Sequence, residues 1–240
     1  MLRESFGKSQ KIERKSAIDY VTESDRAIEA FLLEAIAERF PNSRAIAEEG
    51  GQLAEAGEAV WYIDPIDGTT NFAHGFPIFC VSIAYELAGE LLHGVVFNPI
   101  HDELYCASKG SGATLNGERI TVSAAQDLGE ALLVTGFPYD TWTNPDNNIA
   151  EFTRFAKRTP AVRHLGSTAL DLCYVAAARL DGFWEKDVKA WDLAAGALIA
   201  QEAGARLTRV DGSADYMSPP HSILAANERL HSLMLEVLQQ

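Results

Sequence analysis

The sequence predicts an α/β (α+β) layered sandwich, in which helix and sheet layers alternate. In the first half, strand-like runs at 79–87 and 91–97 flank Ala88-Gly89-Glu90, which is typical of a hairpin turn, and Asn116-Gly117 marks a second turn region. Beyond residue 125, strand-like and helical segments alternate along the chain. Antiparallel hairpins followed by alternating elements indicate a layered architecture.

Helical and strand periodicity assign the elements in chain order. Apolar residues recur at helical spacing over 22–40, and Thr22 followed three residues later by Asp25 resembles a capping box. Residues 60–64 read as a buried strand that ends in a Pro- and Gly-containing loop. The other strands are expected at 104–107, 119–122, 132–136, 162–165, 182–185, 206–210 and 223–226, and the other helices at 148–157, 168–179, 191–203 and 228–238.

Composition restricts the class of protein. The chain has 240 residues, 47% hydrophobic and 22% charged, without a recognisable linker or repeat, so we predict one domain with sub-halves of about 1–125 and 126–240. The net charge of −14 repels nucleic-acid backbones, so nucleic acid is not an expected partner. Three cysteines without a CxxC pair indicate neither a disulfide framework nor a zinc site. No signal peptide or membrane span is recognisable, so we expect a cytoplasmic protein with no membrane partner.

The strongest chemical signal is the octapeptide Asp64-Pro65-Ile66-Asp67-Gly68-Thr69-Thr70-Asn71. Its proline prevents a helix and its glycine permits a tight turn, so both carboxylates can converge at the end of a buried strand. Two carboxylates held that close repel each other and require a proton or a cation. Oxygen ligands suit a hard ion such as Mg²⁺ rather than zinc. A simple strand-capping turn is the alternative for a lone Asp-Gly, but the whole octapeptide favours a metal site.

Four further segments accompany the octapeptide. They are Asp-Tyr-Val-Thr-Glu-Ser-Asp at 19–25, Ala-Glu-Glu at 47–49, Gly-Ser at 166–167 and Trp-Asp-Leu-Ala-Ala-Gly at 191–196. Taken in their order along the chain, the five segments resemble the motifs of the inositol monophosphatase family, within the lithium-sensitive, metal-dependent phosphatase superfamily. The resemblance runs from about Asp19 nearly to the C-terminus, with Ala47 where the family has glycine. It implies the fold shared by inositol monophosphatase and fructose-1,6-bisphosphatase.

The resemblance implies hydrolysis of phosphate monoesters by direct attack of water, with two or three Mg²⁺ ions and no phosphoenzyme. The metal ligands it implies are Glu48, Asp64, Asp67 and Asp192, with the Ile66 carbonyl as a further oxygen. The catalytic residues it implies are Asp25 and Thr69, which would activate the water, together with Glu48. The substrate-binding residues it implies are Gly68, Thr69, Thr70, Arg163, Gly166, Ser167 and Glu185.

Some of these residues also have a plain structural interpretation. Asp25 fits a first-turn acid that complements a helix dipole, and Asp192 fits the N-cap of the helix that it begins. Glu185 fits equally well an edge-strand charge paired with Lys186 or Arg163. The sequence assigns no role to the residue after Ser167.

The expected substrate is myo-inositol 1-phosphate or a similar polyol phosphate, and sensitivity to Li⁺ is implied with it. Histidinol phosphate, fructose 1,6-bisphosphate and 3′-phosphoadenosine 5′-phosphate are alternatives on the same fold, the last being least favoured because no adenine platform is recognisable. A rival of another class is a regulatory protein that keeps the fold and binds a partner. The family commonly forms homodimers and has a fuller N-terminal helix than the stub before Asp19 here, so we expect packing or dimerisation to be affected rather than chemistry.

Overall fold

The computed structural model describes residues 1–8, 12–14, 20–51, 53 and 57–240. The helices in these ranges are α1 (Leu2–Ser5), α2 (Glu23–Arg39), α3 (Thr69–Ala73), α4 (Ile149–Ala156), α5 (Thr168–Ala176), α6 (Ala190–Glu202) and α7 (Glu228–Leu238). The strands are β1 (Ile12–Arg14), β2 (Tyr20–Thr22), β3 (Arg44–Ala47), β4 (Ala59–Asp67), β5 (Cys80–Leu87), β6 (Glu90–Asn98), β7 (Glu103–Ser108), β8 (Gly112–Leu115), β9 (Glu118–Ile120), β10 (Leu132–Thr135), β11 (Ala161–Arg163), β12 (Gly182–Lys186), β13 (Arg206–Thr208) and β14 (Ser222–Ala226). None of the described helices has the length and apolarity needed to cross a membrane.

Two large sheets organise the chain. The first has seven strands in the order β3-β4-β5-β6-β7-β8-β9; β3 is parallel to β4 and every later pair is antiparallel. The second has five strands in the order β11-β10-β12-β14-β13. Its pairs β10–β11 and β10–β12 are parallel, and β14 is antiparallel to both of its neighbours. The short strands β1 and β2 form a separate antiparallel pair.

The helices and the two large sheets alternate in five layers. α2 packs on the seven-stranded sheet at β4, and α5 and α6 pack together between the two sheets. α4 and α7 pack on each other and on the outer face of the five-stranded sheet. The order helix, sheet, helix, sheet, helix confirms the predicted α/β layered sandwich. That the chain is one domain stays a prediction, which the contacts of α5 with both sheets support.

Residues of strand β12 show why helices are needed on both faces of the five-stranded sheet. Phe183 joins the core around α5 and α6, whereas Trp184 packs with Phe155 and Met234 under α4 and α7. Successive strand residues point to opposite faces, so an apolar strand buries both sides only between two helix layers. The indole N–H of Trp184 donates to Asn148 Oδ1 at 2.7 Å, so its one polar group is satisfied inside the core.

Strand β4 carries the octapeptide and is irregular between its two aspartates. Asp64 pairs with Ser82 and Asp67 with Cys80, so three steps along β4 oppose two steps along β5. In a regular strand, residues three apart point to opposite faces, and one extra residue returns them to the same face. Pro65 lies in this irregular stretch, where a missing N–H is tolerated. The bulge therefore lets both aspartates serve one site.

The five-stranded sheet has a topological switch point at β10. This strand is followed along the chain by β11, its parallel neighbour on one side, and then by β12, its parallel neighbour on the other. Gly136, His164 and Glu185 therefore lie at one edge, near the carboxyl ends of three parallel strands. Ligands of open α/β sheets bind outside the carboxyl ends of strands at such points.

The N-terminal stub forms α1, which packs against the base of the octapeptide. Leu2 is buried with Ile66 and Phe72, and the Phe6 ring lies 5.3 Å from the Phe79 ring, measured between centroids. A homodimer, and the effect of the stub on it, stay predictions.

Most predicted elements are present with shifted ends. Helix α2 begins with the predicted capping box, since Thr22 Oγ1 accepts from Ser24 N at 3.2 Å and Asp25 Oδ2 accepts from Thr22 N at 2.8 Å. Two expectations were wrong: the loop after β4 contains the helix α3, and the region between β7 and β9 contains the strand β8. Asp19, which opens the first motif, lies outside the described residues.

Candidate active site

Four carboxylates face one another where β3, β4 and α6 meet. Glu48 follows β3, Asp64 and Asp67 lie on β4, and Asp192 is the third residue of α6. Asp64 is 2% exposed and Asp67 is 7% exposed. Burial raises the pKa of Asp64 well above its ordinary value, and the other three acids raise it further. Burial, followed by Asp67 and Glu48, raises the pKa of Asp192 to about 8. Asp64 and Asp192 are therefore less stable as anions because of their burial and their acidic neighbours.

This set of donors fits hard divalent cations. It consists of oxygen atoms, and bound positive charge would relieve the repulsion between buried carboxylates. The Ile66 carbonyl lies between the two aspartates, and its oxygen is 2.8 Å from Thr69 Oγ1. Ile66 N donates to Asp64 Oδ1 at 2.9 Å, so the backbone of the bulge orients that carboxylate.

Asp67 is held by the N-terminus of α5. Its Oδ2 accepts from Ser167 Oγ at 2.6 Å and from Ala169 N at 2.7 Å, and its Oδ1 accepts from Thr168 N at 3.2 Å. Burial raises the pKa of Asp67, and these hydrogen bonds counteract part of that rise. Ser167, predicted to bind substrate, thus donates its hydroxyl to a proposed metal ligand. The contact joins β4 of the first sheet to the helix layer between the sheets.

Asp25 and Thr69 meet although 44 residues separate them in the chain. Thr69 Oγ1 lies 2.9 Å from Asp25 Oδ1, while Asp25 Oδ2 caps α2 through Thr22 N. Asp25 is fully buried, and burial raises its pKa. One oxygen of Asp25 therefore caps the helix and the other faces the threonine, while the water-activating role of the pair stays a prediction. When the Thr69 hydroxyl donates to Asp25, its lone pairs remain open to a donor in the cavity.

A second group of acids adjoins this pair. Carboxylate oxygens of Asp25, Glu48 and Glu49 lie within 4.8 Å of one another. Glu29, buried on α2, accepts from Glu49 N at 2.7 Å and from Gly51 N at 2.8 Å, so it fixes the turn that presents both glutamates. The sequence did not single out Glu29 or Glu49, although the Glu-Glu pair after an apolar strand was a usable signal for Glu49.

The turn after β4 is held in the left-handed region by Gly68, whose φ is +95°. A Cβ on Gly68 would lie 2.9 Å from the Ile78 carbonyl oxygen, so both the conformation and the space require glycine. The helix α3 begins at the next residue, and the first N–H groups of a helix have no acceptor within it. Asn71 Nδ2 donates to the Ile78 and Leu165 carbonyls, each at 2.7 Å, and so links this turn to the residues before α5.

A cavity of about 370 Å³ opens beside these groups. Asp67, Asp192 and the turn 68–71 line one part of it, and Gly136, Glu185 and aromatic side chains such as Phe137 line another. Within the described ranges, its lining includes no lysine or arginine.

Glu185 lies in this cavity on an inner strand. β12 runs between β10 and β14, so Glu185 is not the edge-strand charge of the alternative interpretation. Its Oε2 accepts from Thr168 Oγ1 at 2.8 Å, and burial raises its pKa to about 8. Lys186 points elsewhere, forming ion pairs with Asp146 and Glu151.

The remaining predicted residues divide into two groups. Thr70 and Gly166 line the cavity, and Gly166 has a φ of +79°. Arg163 is exposed at the end of β11 and is not part of the lining. Eight of the predicted site residues line the cavity, and Asp25, Glu48, Asp64 and Ile66 lie beside them through the contacts described above, whereas Arg163 has no such contact among the described residues.

Sequence reasoning missed Asp171, which lines the cavity from α5. It is 1% exposed, and its Oδ1 has no hydrogen-bond partner among the described residues. Burial, with Glu185 and Asp67, raises its pKa well above the ordinary value. A lone acid in the otherwise uncharged helix Thr-Ala-Leu-Asp-Leu-Cys-Tyr-Val-Ala was the available signal.

Comparison with known proteins shows the family of this chain. The family model described as the inositol monophosphatase family matches residues 1–240. An inositol-1-monophosphatase of Synechocystis is 45% identical over 235 residues, covering 97% of this chain and 82% of its own. A protein of Pseudomonas aeruginosa named Nus factor SuhB is 43% identical over 233 residues, covering 95% and 86%. The solved inositol monophosphatase of Anabaena superposes with a TM-score of 0.87 at 44% identity, covering 90% of this chain and 86% of that one.

Proposed function

Because this chain belongs to the inositol monophosphatase family and is a phosphatase, we propose that it hydrolyses phosphate monoesters of small polyols, above all myo-inositol 1-phosphate, with Mg²⁺. The observation that carries the proposal is the group of four acids, two buried and two partly buried, beside a cavity whose described lining includes no lysine or arginine. Such a group favours bound cations, and the cations in turn favour an anionic substrate.

Glu48, Asp64, Asp67 and Asp192, with the Ile66 carbonyl, would hold two or three Mg²⁺ ions. When bound, such ions supply charge that stabilises a phosphoryl group and lowers the pKa of a water ligand. The protein supplies the rigidity of this arrangement, because the bulge in β4 and the N-terminus of α5 hold the aspartates in place.

The other groups of the chain would position the reactants. The N–H groups of Gly68, Thr69 and Thr70 would bind phosphate oxygens as the start of a helix does. Thr69 would orient the attacking water by accepting a hydrogen bond from it while donating to Asp25, 2.9 Å away. Asp25 is suited to take up the proton, since burial raises its pKa.

The shape and charge of the cavity support a small monophosphate. A volume of about 370 Å³ is near the lower end of the roughly 300–1,000 Å³ found for ligand pockets. Fructose 1,6-bisphosphate and 3′-phosphoadenosine 5′-phosphate each carry a second phosphate, for which the described lining offers no cationic side chain. Glu185 supports a leaving alcohol that donates hydrogen bonds. Histidinol phosphate, whose amine also donates, is the alternative that the assay must separate.

Phosphate release from purified protein tests the proposal. The panel contains myo-inositol 1-phosphate, histidinol phosphate, fructose 1,6-bisphosphate and 3′-phosphoadenosine 5′-phosphate, each with Mg²⁺, with EDTA and with Mg²⁺ plus Li⁺. We expect the highest kcat/KM for myo-inositol 1-phosphate, no turnover in EDTA and inhibition by Li⁺. Equal rates in Mg²⁺ and EDTA would overturn the metal assignment, and a preference for histidinol phosphate would replace the substrate while leaving the reaction in place.

A regulatory binding role is a second candidate, favoured by the 43% identity to a protein named Nus factor SuhB. A pull-down from cell extract with the intact chain as bait tests it. Specific recovery of the same partner by the wild type and by an inactive Asp64→Asn variant would support binding that is independent of turnover. Recovery of nothing specific would count against it.

A further inference from the structure

The carboxylate of Glu185 is held on one side by Thr168. Thr168 Oγ1 donates to Glu185 Oε2 at 2.8 Å, and its backbone N–H donates to Asp67 Oδ1 at 3.2 Å. Thr168 is only 9% exposed, so solvent competes little for either bond. Because Thr168 Oγ1 is the donor, the bond fixes the position of one oxygen of the Glu185 carboxyl group.

Gly136 makes the space for the same carboxylate on another side. A Cβ on Gly136 would lie 1.9 Å from Glu185 Oε1 and 2.3 Å from Cδ. Its φ is outside the left-handed region, so the glycine is required for space and not for backbone conformation. The two residues are brought together because Thr135 of β10 pairs with Trp184 of β12, and Thr135 Oγ1 donates to the Trp184 carbonyl at 2.6 Å.

We propose that Thr168 and Gly136 are positioning residues that set the Glu185 carboxylate as an acceptor for the free hydroxyl groups of the leaving alcohol. They thereby select polyol phosphates over phosphates whose alcohol has no further hydroxyl group. The inference rests on the proposed function and adds the residues that determine selectivity. Glu185 lines the cavity, and the hydroxyl of Thr168 occupies only part of its acceptor capacity.

The first test is the Thr168→Val variant of the full chain with Mg²⁺. It keeps the shape of the side chain and removes the hydroxyl. We compare kcat/KM for myo-inositol 1-phosphate with kcat/KM for phenyl phosphate, whose leaving group has no free hydroxyl. Their ratio should fall by up to about tenfold, the effect of losing one hydrogen bond. The loss should be carried by an increase in KM for the polyol, since the contact is made in the bound ground state.

Two control variants accompany it. Thr168→Ser keeps the hydroxyl and should restore the ratio. Thr153→Val removes a threonine hydroxyl that bonds the Ile149 carbonyl at 2.9 Å on α4; Thr153 is exposed and is not part of the cavity lining, so this variant should leave the ratio unchanged. Gly136→Ala is an independent route to the same result. The atoms that its Cβ meets are the end of a flexible side chain, so the fold should persist while Glu185 is displaced and the ratio falls.

A double-mutant cycle shows whether Thr168 acts through Glu185. Glu185→Ala should lower the ratio, and adding Thr168→Val to it should lower the ratio no further. Additive losses, or a Thr168→Val variant that slows both substrates equally, would overturn the inference and leave the proposed function standing. A wild-type protein that hydrolyses neither substrate with Mg²⁺ would overturn both.

Discussion

Replacing Asp64 by asparagine should remove activity and, without metal, make the protein more stable. Asparagine has the same shape, and its Oδ1 can still accept from Ile66 N, which lies 2.9 Å from Asp64 Oδ1. Its amide N–H can donate towards Asp192, whose carboxyl contacts Asp64. The substitution therefore removes one negative charge from a buried group of like charges and introduces no cavity.

The magnitude follows from that repulsion. Two like charges about 4 Å apart repel by roughly 4 kcal/mol at an effective dielectric constant of about 20, and protonation of the group already relieves most of it. We expect a net gain of about 1–2 kcal/mol in EDTA, which for a chain of this length is a rise in Tm of about 2–8 °C. Turnover should fall more than about 100-fold, because even the partners of metal ligands cost about 10–100-fold when removed.

Thermal unfolding in EDTA and in Mg²⁺, together with phosphate release, measures all three effects. Mg²⁺ should stabilise the wild type by mass action, by about 2.7 kcal/mol at a Mg²⁺ concentration of 100 times Kd, and so raise its Tm. Asp64→Asn should gain little stability from Mg²⁺. Asp215→Asn, an exposed aspartate outside the candidate active site, is the matched control and should behave as the wild type. The reasoning is refuted if Asp64→Asn keeps most of the activity, or if it is less stable than the wild type in EDTA.

Three further predictions concern Thr69, Gly68 and His231. Thr69→Val loses the hydrogen bond to Asp25 and should lower kcat for phosphate release about 100-fold or more. Thr69→Ser keeps the hydroxyl and should keep most of the wild-type kcat. Equal losses in the two variants would contradict the role of the hydroxyl. Gly68→Ala, at a φ of +95°, should cost about 1–3 kcal/mol in urea unfolding; no change would show that the turn can adapt. His231 is buried, and burial lowers its pKa from the ordinary value of 6.5 to about 4. Between these two pH values the imidazole binds a proton in the unfolded chain but not in the folded protein. The free energy of unfolding should therefore decrease as the pH falls from about 6.5 to 4. His231→Gln, which can still donate to Thr208, should remove about 2–3 kcal/mol of that loss, and parallel stability curves for the two proteins would contradict this.

The elements of the fold were largely predictable, because each depends on local periodicity and on turn residues. The helix at 22–40 and the strands at 79–87 and 91–97 have the expected alternation or spacing of apolar residues, and the structure has them within one or two residues. Helix α3 was not predicted, since five residues starting with two threonines have little intrinsic preference for a helix. It forms where the bulge of β4 and Gly68 direct the chain.

The candidate site was predictable where a role depends on residue type. Acids in the octapeptide and in the Trp-Asp segment indicated metal ligands without any coordinates. What Ser167 and Thr168 contact could not be read in this way. Ser167 bonds Asp67, 100 residues earlier in the chain, and Thr168 bonds Glu185, 17 residues later. The spacing of residues in the sequence does not indicate these contacts, because they arise from the packing of α5 between the two sheets.

The sequence by itself determined the layered α/β class, the family resemblance and the chemical type of the site, because these depend on local patterns of side chains. Only the tertiary structure decided that a bulge turns Asp64 and Asp67 to one face, that Arg163 lies outside the cavity, and that Gly136 leaves room for Glu185. These outcomes depend on strand register and on the space between neighbouring strands. Hydrogen bonding and packing across the whole chain fix both, so no single segment contains that information.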